Sequence, residues 1–192
     1  GGKMIKYQVL EALQARCGQP VSGEELSGRL GVSRTAVWKA VEALRQEGYP
    51  ITSRRNQGHT LENTGTDIFN LYEIECRLAP GGVDWNLLLY EELGSTNDEA
   101  RRLAELPEND RSVVLALRQT GGKGKRGTSF YSPPETGIYF SLIFCGGRRV
   151  EQAGELGRAI AAALCSCFSE LAGKECVLRD GNVYFGEKKL CG

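Results

Sequence analysis

The densest chemistry in the chain is the run Gln119-Thr120-Gly121-Gly122-Lys123-Gly124-Lys125-Arg126-Gly127, which sets three cations among four glycines. Glycines let backbone N–H groups converge on an anion, and Lys123, Lys125 and Arg126 can neutralise its charge, so the run is expected to wrap a phosphate. Two common phosphate motifs fail here. Gly122-x-Gly124-x-x-Gly127 has dinucleotide-fold spacing, but Ser129-Phe130-Tyr131-Ser132-Pro133-Pro134 cannot open the helix that fold requires. No G-x-x-x-x-G-K-[ST] is present either, and a solvated basic loop is the plain alternative.

A second set of candidate binding residues lies upstream. Ser33, Arg34, Thr35, Trp38 and Lys39 open a helical stretch, and Arg54 and Arg55 sit beside the turn Asn56-Gln57-Gly58. Such side chains can bond phosphates and base edges. The single histidine, His59, falls in a strand of that turn, where packing or a phosphate-facing position suits it better than a ligand role.

The elements that must position these residues are legible from periodicity. Ile5, Val9, Leu10 and Leu13 recur at helical spacing and stop at Cys17-Gly18-Gln19-Pro20. Ser22 to Glu25 reads as a capping box for a second helix ending at Gly31, and Ser33 caps a third from Arg34 to Glu47. Val37, Ala40, Val41 and Leu44 form its inward stripe, and residues 51–55 and 59–61 form a hairpin. This is the layout of a winged helix-turn-helix, and it predicts a DNA-binding domain over residues 1–64.

After a linker at 63–66, a helix over 67–78 ends at Pro80-Gly81-Gly82. Strands are predicted at 85–90, 112–118 and 138–145, helices at 96–106 and 149–172, and a hairpin at 183–190 around Gly186-Glu187. Strands interleaved with helices argue for a mixed sheet over 65–192, and the whole chain is of the α+β class.

Composition sets the outer bounds. Length and 41% hydrophobic residues suit one medium or two small globular domains. No apolar run is long enough to cross a bilayer and the N-terminus has no signal-like segment, so a cytoplasmic protein with no membrane partner is expected. Seven irregularly spaced cysteines with no C-x-x-C pair argue against a metal site or disulfide framework, and those in apolar stretches, Cys145, Cys165 and Cys167, read as small buried hydrophobes. Residues 1–64 hold nine Lys/Arg against six Asp/Glu, leaving fifteen against eighteen elsewhere. The N-terminal third is therefore the part suited to a polyanion.

Ser95-Thr96-Asn97, the 119–127 run, Tyr131-Ser132-Pro133 and Tyr139-Phe140-Ser141, in that order behind a winged helix, resemble the bifunctional biotin protein ligase and biotin operon repressor family. Ser22-Gly23-Glu24-Glu25-Leu26, Gly31-Val32-Ser33-Arg34 and Gly58-His59-Thr60-Leu61 extend the likeness over nearly the whole chain. The resemblance implies a ligase that joins biotin to ATP, with Mg2+ on the phosphates, and passes the biotinyl group to a lysine of a biotin carboxyl carrier domain. It also implies operator DNA as a partner, bound by a homodimer loaded with the adenylate. Ser95, Thr96, Asn97 and Gln119 would line the biotin pocket, and Gly122, Lys123, Gly124, Lys125 and Gly127 would close over biotin and the adenylate phosphate. Lys125 and Arg126 would carry the catalytic charge, and no residue would bind a metal.

Three departures stand out. Lysines at 123 and 125 and Thr128 occupy family arginine positions. Leu178 stands where the family has a lysine that contacts the reacting carboxylate and phosphate, and the adjacent Arg179 should face the opposite side of its strand. The family's catalytic sheet also continues beyond the glycine matching Gly192, and Gly1-Gly2-Lys3 precedes Met4, so a fragment or a shortened relative is expected. A regulator that senses biotin or its adenylate with a degenerate ligase domain is the competing reading.

Overall fold

The computed structural model describes residues 4–63, 67–123, 129–133, 137–145 and 150–191. They form two compact units that divide after Val83.

In the first unit, α1 (Ile5–Gln14), α2 (Gly23–Leu30) and α3 (Arg34–Gln46) precede a hairpin of β1 (Ile51–Arg54) and β2 (Gly58–Leu61), then α4 (Leu71–Leu78). Both anticipated caps form, with Ser22 accepting from the Glu25 amide at 3.0 Å and Ser33 from the Ala36 amide at 3.1 Å. Each satisfies an amide that has no partner within its own helix. Gly31 ends α2 in the left-handed region at φ 65°. Val9, Leu10 and Leu13 of α1 meet Leu26 of α2 and Val37, Val41 and Leu44 of α3 in one core, which Ile51 and Leu61 extend into the hairpin.

The sequence places residues 67–78 with the second domain, behind a linker, whereas these residues pack with the first unit. Tyr72 is buried and stacks on Tyr7 with ring centroids 4.2 Å apart, and Tyr49 donates to Glu73 at 2.8 Å. The helix begins at Leu71 rather than Asp67 because the Asn70 side chain accepts from the Glu73 amide and caps it there.

In the second unit, β3 (Asn86–Leu93) pairs parallel with β4 (Ser112–Gln119) through the crossover α5 (Thr96–Leu103), and β5 (Tyr139–Ile143) pairs antiparallel on the other edge of β4. β4 is central and buried along Ser112 to Ala116. The long α6 (Val150–Ala172) leads into a three-stranded antiparallel sheet of β6 (Val177–Arg179), β7 (Asn182–Phe185) and β8 (Lys188–Cys191). The β6–β7 turn, Asp180-Gly181, has both residues at positive φ, as a tight primed hairpin turn needs. Cys176 is buried and Cys145 and Cys165 are half-buried, whereas Cys167 is exposed, so the buried-hydrophobe reading does not hold for Cys167. Among the described residues, no helix is long and apolar enough to cross a membrane.

The hairpin is locked to the start of α2 by reciprocal bonds between Val21 and His59, at 2.9 and 2.8 Å. Gly58 permits this contact, because a Cβ there would lie 2.2 Å from the Val21 carbonyl oxygen and the residue has φ 104°. Gly58→Ala is expected to destabilise the first unit by at least the ~1–3 kcal/mol typical of a strained backbone position. A lowered urea midpoint would register the loss, and an unchanged midpoint would show that the contact is dispensable.

Candidate functional site

Gln119, at the end of β4, joins three segments. Its Oε1 accepts from the Thr96 amide at 2.9 Å and from the Thr96 hydroxyl at 3.2 Å, while its Nε2 donates to Ser132 Oγ at 3.0 Å. The Ser141 hydroxyl on β5 lies 2.7 Å from Asn97 Oδ1 and 3.0 Å from Thr96 Oγ1, and donates its one proton to either. Thr96 and Ser141 are buried, and so is the neighbouring Ser95, whose hydroxyl has no partner among the described residues. A buried hydroxyl without a partner costs free energy unless a ligand or water satisfies it.

The glycine-rich run leaves this cluster under tight constraint. Gly122 admits no side chain, since a Cβ would stand 2.2 Å from Ser132 Oγ and 2.8 Å from both Gln119 Nε2 and the Phe130 carbonyl oxygen. The Phe130 amide donates to the Gly122 carbonyl at 2.8 Å, and Lys123 and Ser129 form an antiparallel bridge that closes the stem of the loop. Lys123 pairs with Asp98, in the first turn of α5, at 2.6 Å. Gly124, Lys125, Arg126 and Gly127 lie outside the described residues.

A cleft of about 1280 Å³ opens beside this cluster. Thr96, Asn97, Gln119 and Lys123 line it on one side, and Val183 and Lys189 on another. Ser95 and Gly122 are not among the lining residues, although each is the chain neighbour of one, Thr96 and Lys123. Leu178 is not among the lining residues; it is 42% exposed and lies across from Val183, which does line the cleft. Arg179 is turned elsewhere, with its guanidinium 5.5 Å from the Tyr184 ring centroid and 3.8 Å from Glu187.

Sequence reasoning overlooked Asp98 and Lys189, because neither falls in a motif. It placed Leu178 and Arg179 on a strand but did not read Asp180-Gly181 as the turn of a hairpin, although an Asp-Gly pair is a strong hairpin signal.

The first unit presents its own candidate surface. Ser33, Arg34, Thr35, Trp38 and Lys39 are all exposed at the start of α3, and Trp38 at 57% is conspicuous for so large a ring. Arg34 pairs with Glu24 at 2.7 Å in a fully solvated contact of small energetic weight. Arg54 and Arg55 are exposed at the hairpin tip. Behind them, Arg45 of α3 donates to the Ile51 carbonyl and to Ser53 Oγ, both at 2.7 Å, and Ser53 Oγ lies 2.6 Å from His59 Nδ1. His59 thus has a packing role that braces the hairpin.

Two family models match the chain: an HTH domain over residues 6–60 and the biotin/lipoate A/B protein ligase family over residues 91–177. Together the two models support the biotin ligase/repressor family, which this chain resembles from end to end. The bifunctional ligase/repressor BirA of Bacillus subtilis is 28% identical over 189 residues, covering 98% of this chain and 58% of that protein. The Escherichia coli BirA is 27% identical over 181 residues, covering 91% and 53%. The chain therefore spans just over half the length of these relatives. Among solved structures, the biotin protein ligase from Aquifex aeolicus in complex with biotin and ATP has a TM-score of 0.44 and 29% identity, covering 54% of this chain and 43% of that one. The ligase from Leishmania major in complex with biotinyl-5-AMP has a TM-score of 0.41 and 21% identity, covering 56% and 50%.

The His59 brace is expected to make the stability of the first unit depend on pH. Burial holds its pKa below the usual 6.5, helped by the adjacent Arg45 and opposed by Glu42. The unfolded chain then binds the proton more readily, so the stability contributed here is complete above pH 6.5 and is lost as pH falls through the folded pKa. Thermal unfolding followed from pH 8 to pH 5 is expected to show a smaller decline for His59→Asn than for the parent, and equal declines would exclude the histidine as the cause.

Proposed function

We propose that this chain binds biotin and activates it with ATP, and that its first unit reads operator DNA as part of a homodimer. The observation that carries the reading is the Thr96–Gln119–Ser132–Ser141 cluster, with the unsatisfied Ser95 hydroxyl behind it, opening onto a cleft where the basic stem begins. Ser95, Thr96, Asn97 and Gln119 would hold biotin through its polar ring atoms. Gly122 and Lys123, with Gly124, Lys125, Arg126 and Gly127, would face the reacting phosphate.

In the proposed reaction a biotin carboxylate oxygen attacks the α-phosphorus of ATP, the bond to pyrophosphate breaks, and biotinyl-5′-AMP forms. Magnesium travels on the nucleotide phosphates as part of the substrate. The chain's contribution is positive charge between two anions and exclusion of water. Transfer follows when a lysine amine of a biotin carboxyl carrier domain attacks the acyl carbon, AMP leaves with the bonding electrons, and the amine gives up a proton. Leu178 contributes no charge, and loss of one such contact costs ~10²- to 10³-fold in rate, so turnover should be slow.

The decisive assay incubates the chain with biotin, MgATP and a carrier domain, and reads pyrophosphate release and labelled carrier. Slow adenylate formation supports the reading, whereas biotin binding with no pyrophosphate at any enzyme concentration would leave a sensor rather than an enzyme.

For DNA, log affinity should fall linearly with log salt, because phosphate contacts release counterions. Replacing Arg54 and Arg55 together by alanine is expected to reduce that slope by about two. A slope equal to the parent's would remove the hairpin from the interface.

A further inference from the structure

The outward face of α3 carries an apolar ring among its cations. Arg34, Thr35, Trp38 and Lys39 are exposed, whereas Val37, Ala40, Val41 and Leu44 are buried, so the helix divides cleanly into two faces. Helical spacing sets Trp38 one turn beyond Arg34 and on the same side, with Thr35 and Lys39 next to it. The cationic stretch ends there, because the following turn brings Glu42, which pairs with Arg45. At 57% exposed, Trp38 is the most exposed large apolar side chain among the described residues of the first unit. It stacks on no ring and lies under no cation among the described residues. Nor does the core use it as a cover, since Trp38 is absent from the cluster that Val37, Val41 and Leu44 build.

An indole left in water gains free energy when an apolar partner covers it. The neighbouring charges narrow the choice of partner. Arg34 and Lys39 on the same face suit a polyanion, and the capped start of α3 is where a helix of this layout meets base edges. Among the groups that bases present in the major groove, the apolar one is the C5-methyl of thymine. The indole N–H is a donor and the ring has no acceptor, so it cannot meet the amino groups of adenine or cytosine. Arg54 and Arg55, at the hairpin tip, are suited to phosphates, which are alike under every base pair. Discrimination between bases then falls to the face of α3.

We infer that Trp38 is a specificity-determining residue of the first unit and selects a thymine by packing on its methyl group in the major groove. The inference rests on the operator-DNA reading and deepens it by naming a base that the bound duplex must carry. Contact between two apolar groups releases no counterion, so this preference is independent of salt while the overall affinity falls.

The test begins with duplexes selected by the full chain from a random-sequence pool. In one selected duplex each thymine is replaced in turn by deoxyuridine, which removes the methyl and leaves every hydrogen-bonding edge in place. Affinity is read by fluorescence anisotropy at low salt, where phosphate contacts keep even weakened variants measurable. At a thymine in each half-site, loss of the methyl is expected to cost the parent about fourfold, the worth of one buried methyl-sized group. Trp38→Ala should bind the thymine and deoxyuridine duplexes equally, and Trp38→Phe, which keeps an apolar ring, should still prefer thymine. Both variants should unfold at the parent's midpoint, which separates a lost contact from a lost fold. A methyl penalty that persists in Trp38→Ala, or a parent indifferent to every thymine methyl, would overturn the inference while leaving the DNA reading intact. Unchanged affinity of Trp38→Ala for the thymine duplex would place the ring against another partner and overturn it as well. A parent chain that selects no duplex would defeat the DNA reading and this inference together.

Discussion

The side-chain amide of Gln119 is the interaction on which the second unit's site depends. It accepts twice from Thr96 and donates once to Ser132, so the end of a central strand, the start of a helix and a loop segment share one planar group. A carboxylate in its place could accept from Thr96 but could not donate to Ser132, and an apolar residue would strand three polar groups. The absence of a side chain at Gly122 follows from the same constraint, because the atoms it would strike include Gln119 Nε2 and Ser132 Oγ. The parallel pairing of β3 with β4 brings the two halves of the cluster together, with Leu93 opposite Gln119 at the carboxyl end of both strands. That end of a parallel pair is where ligand sites commonly form in α/β sheets.

The two units use charge in different ways. In the first, cations are set on exposed ground at the start of α3 and the tip of the hairpin, where a polyanion can reach them and screening is strong. In the second, charge is gathered at a concave wall, where Lys123 has an acidic partner and Lys189, among the described residues, lies over an aromatic ring. The zero net charge of the sequence conceals both arrangements, since the surplus of one unit cancels the deficit of the other.

Much of the fold was legible because its signals are local. Ser22, Gly31 and Ser33 mark helix ends through contacts within four residues, and the stripe from Val37 to Leu44 marks a buried face through spacing alone. The Ser95 to Gln119 part of the site was legible only through resemblance, because the bonds that unite it cross more than twenty residues. What escaped depends on tertiary choice. Residues 67–78 look like the start of a new domain beside a linker, but the stacking of Tyr72 on Tyr7 decides where they pack. Lys189 escaped because its place on the cleft wall depends on how β8 pairs with β7, which no pattern within one strand encodes. Cys167 was misread as buried because an apolar neighbourhood along the chain does not fix which way a helix turns.

The clasp formed by Arg45 has a mechanical consequence. One guanidinium fastens the strand leaving α3 back onto that helix, through a backbone carbonyl and a hydroxyl at once. Helix face and hairpin tip then behave as the two jaws of a caliper of set opening. On the proposed DNA reading, a duplex must offer groove and flanking backbone at that separation or bend to provide it, so sequences would be sorted by stiffness as well as by the edges of their bases.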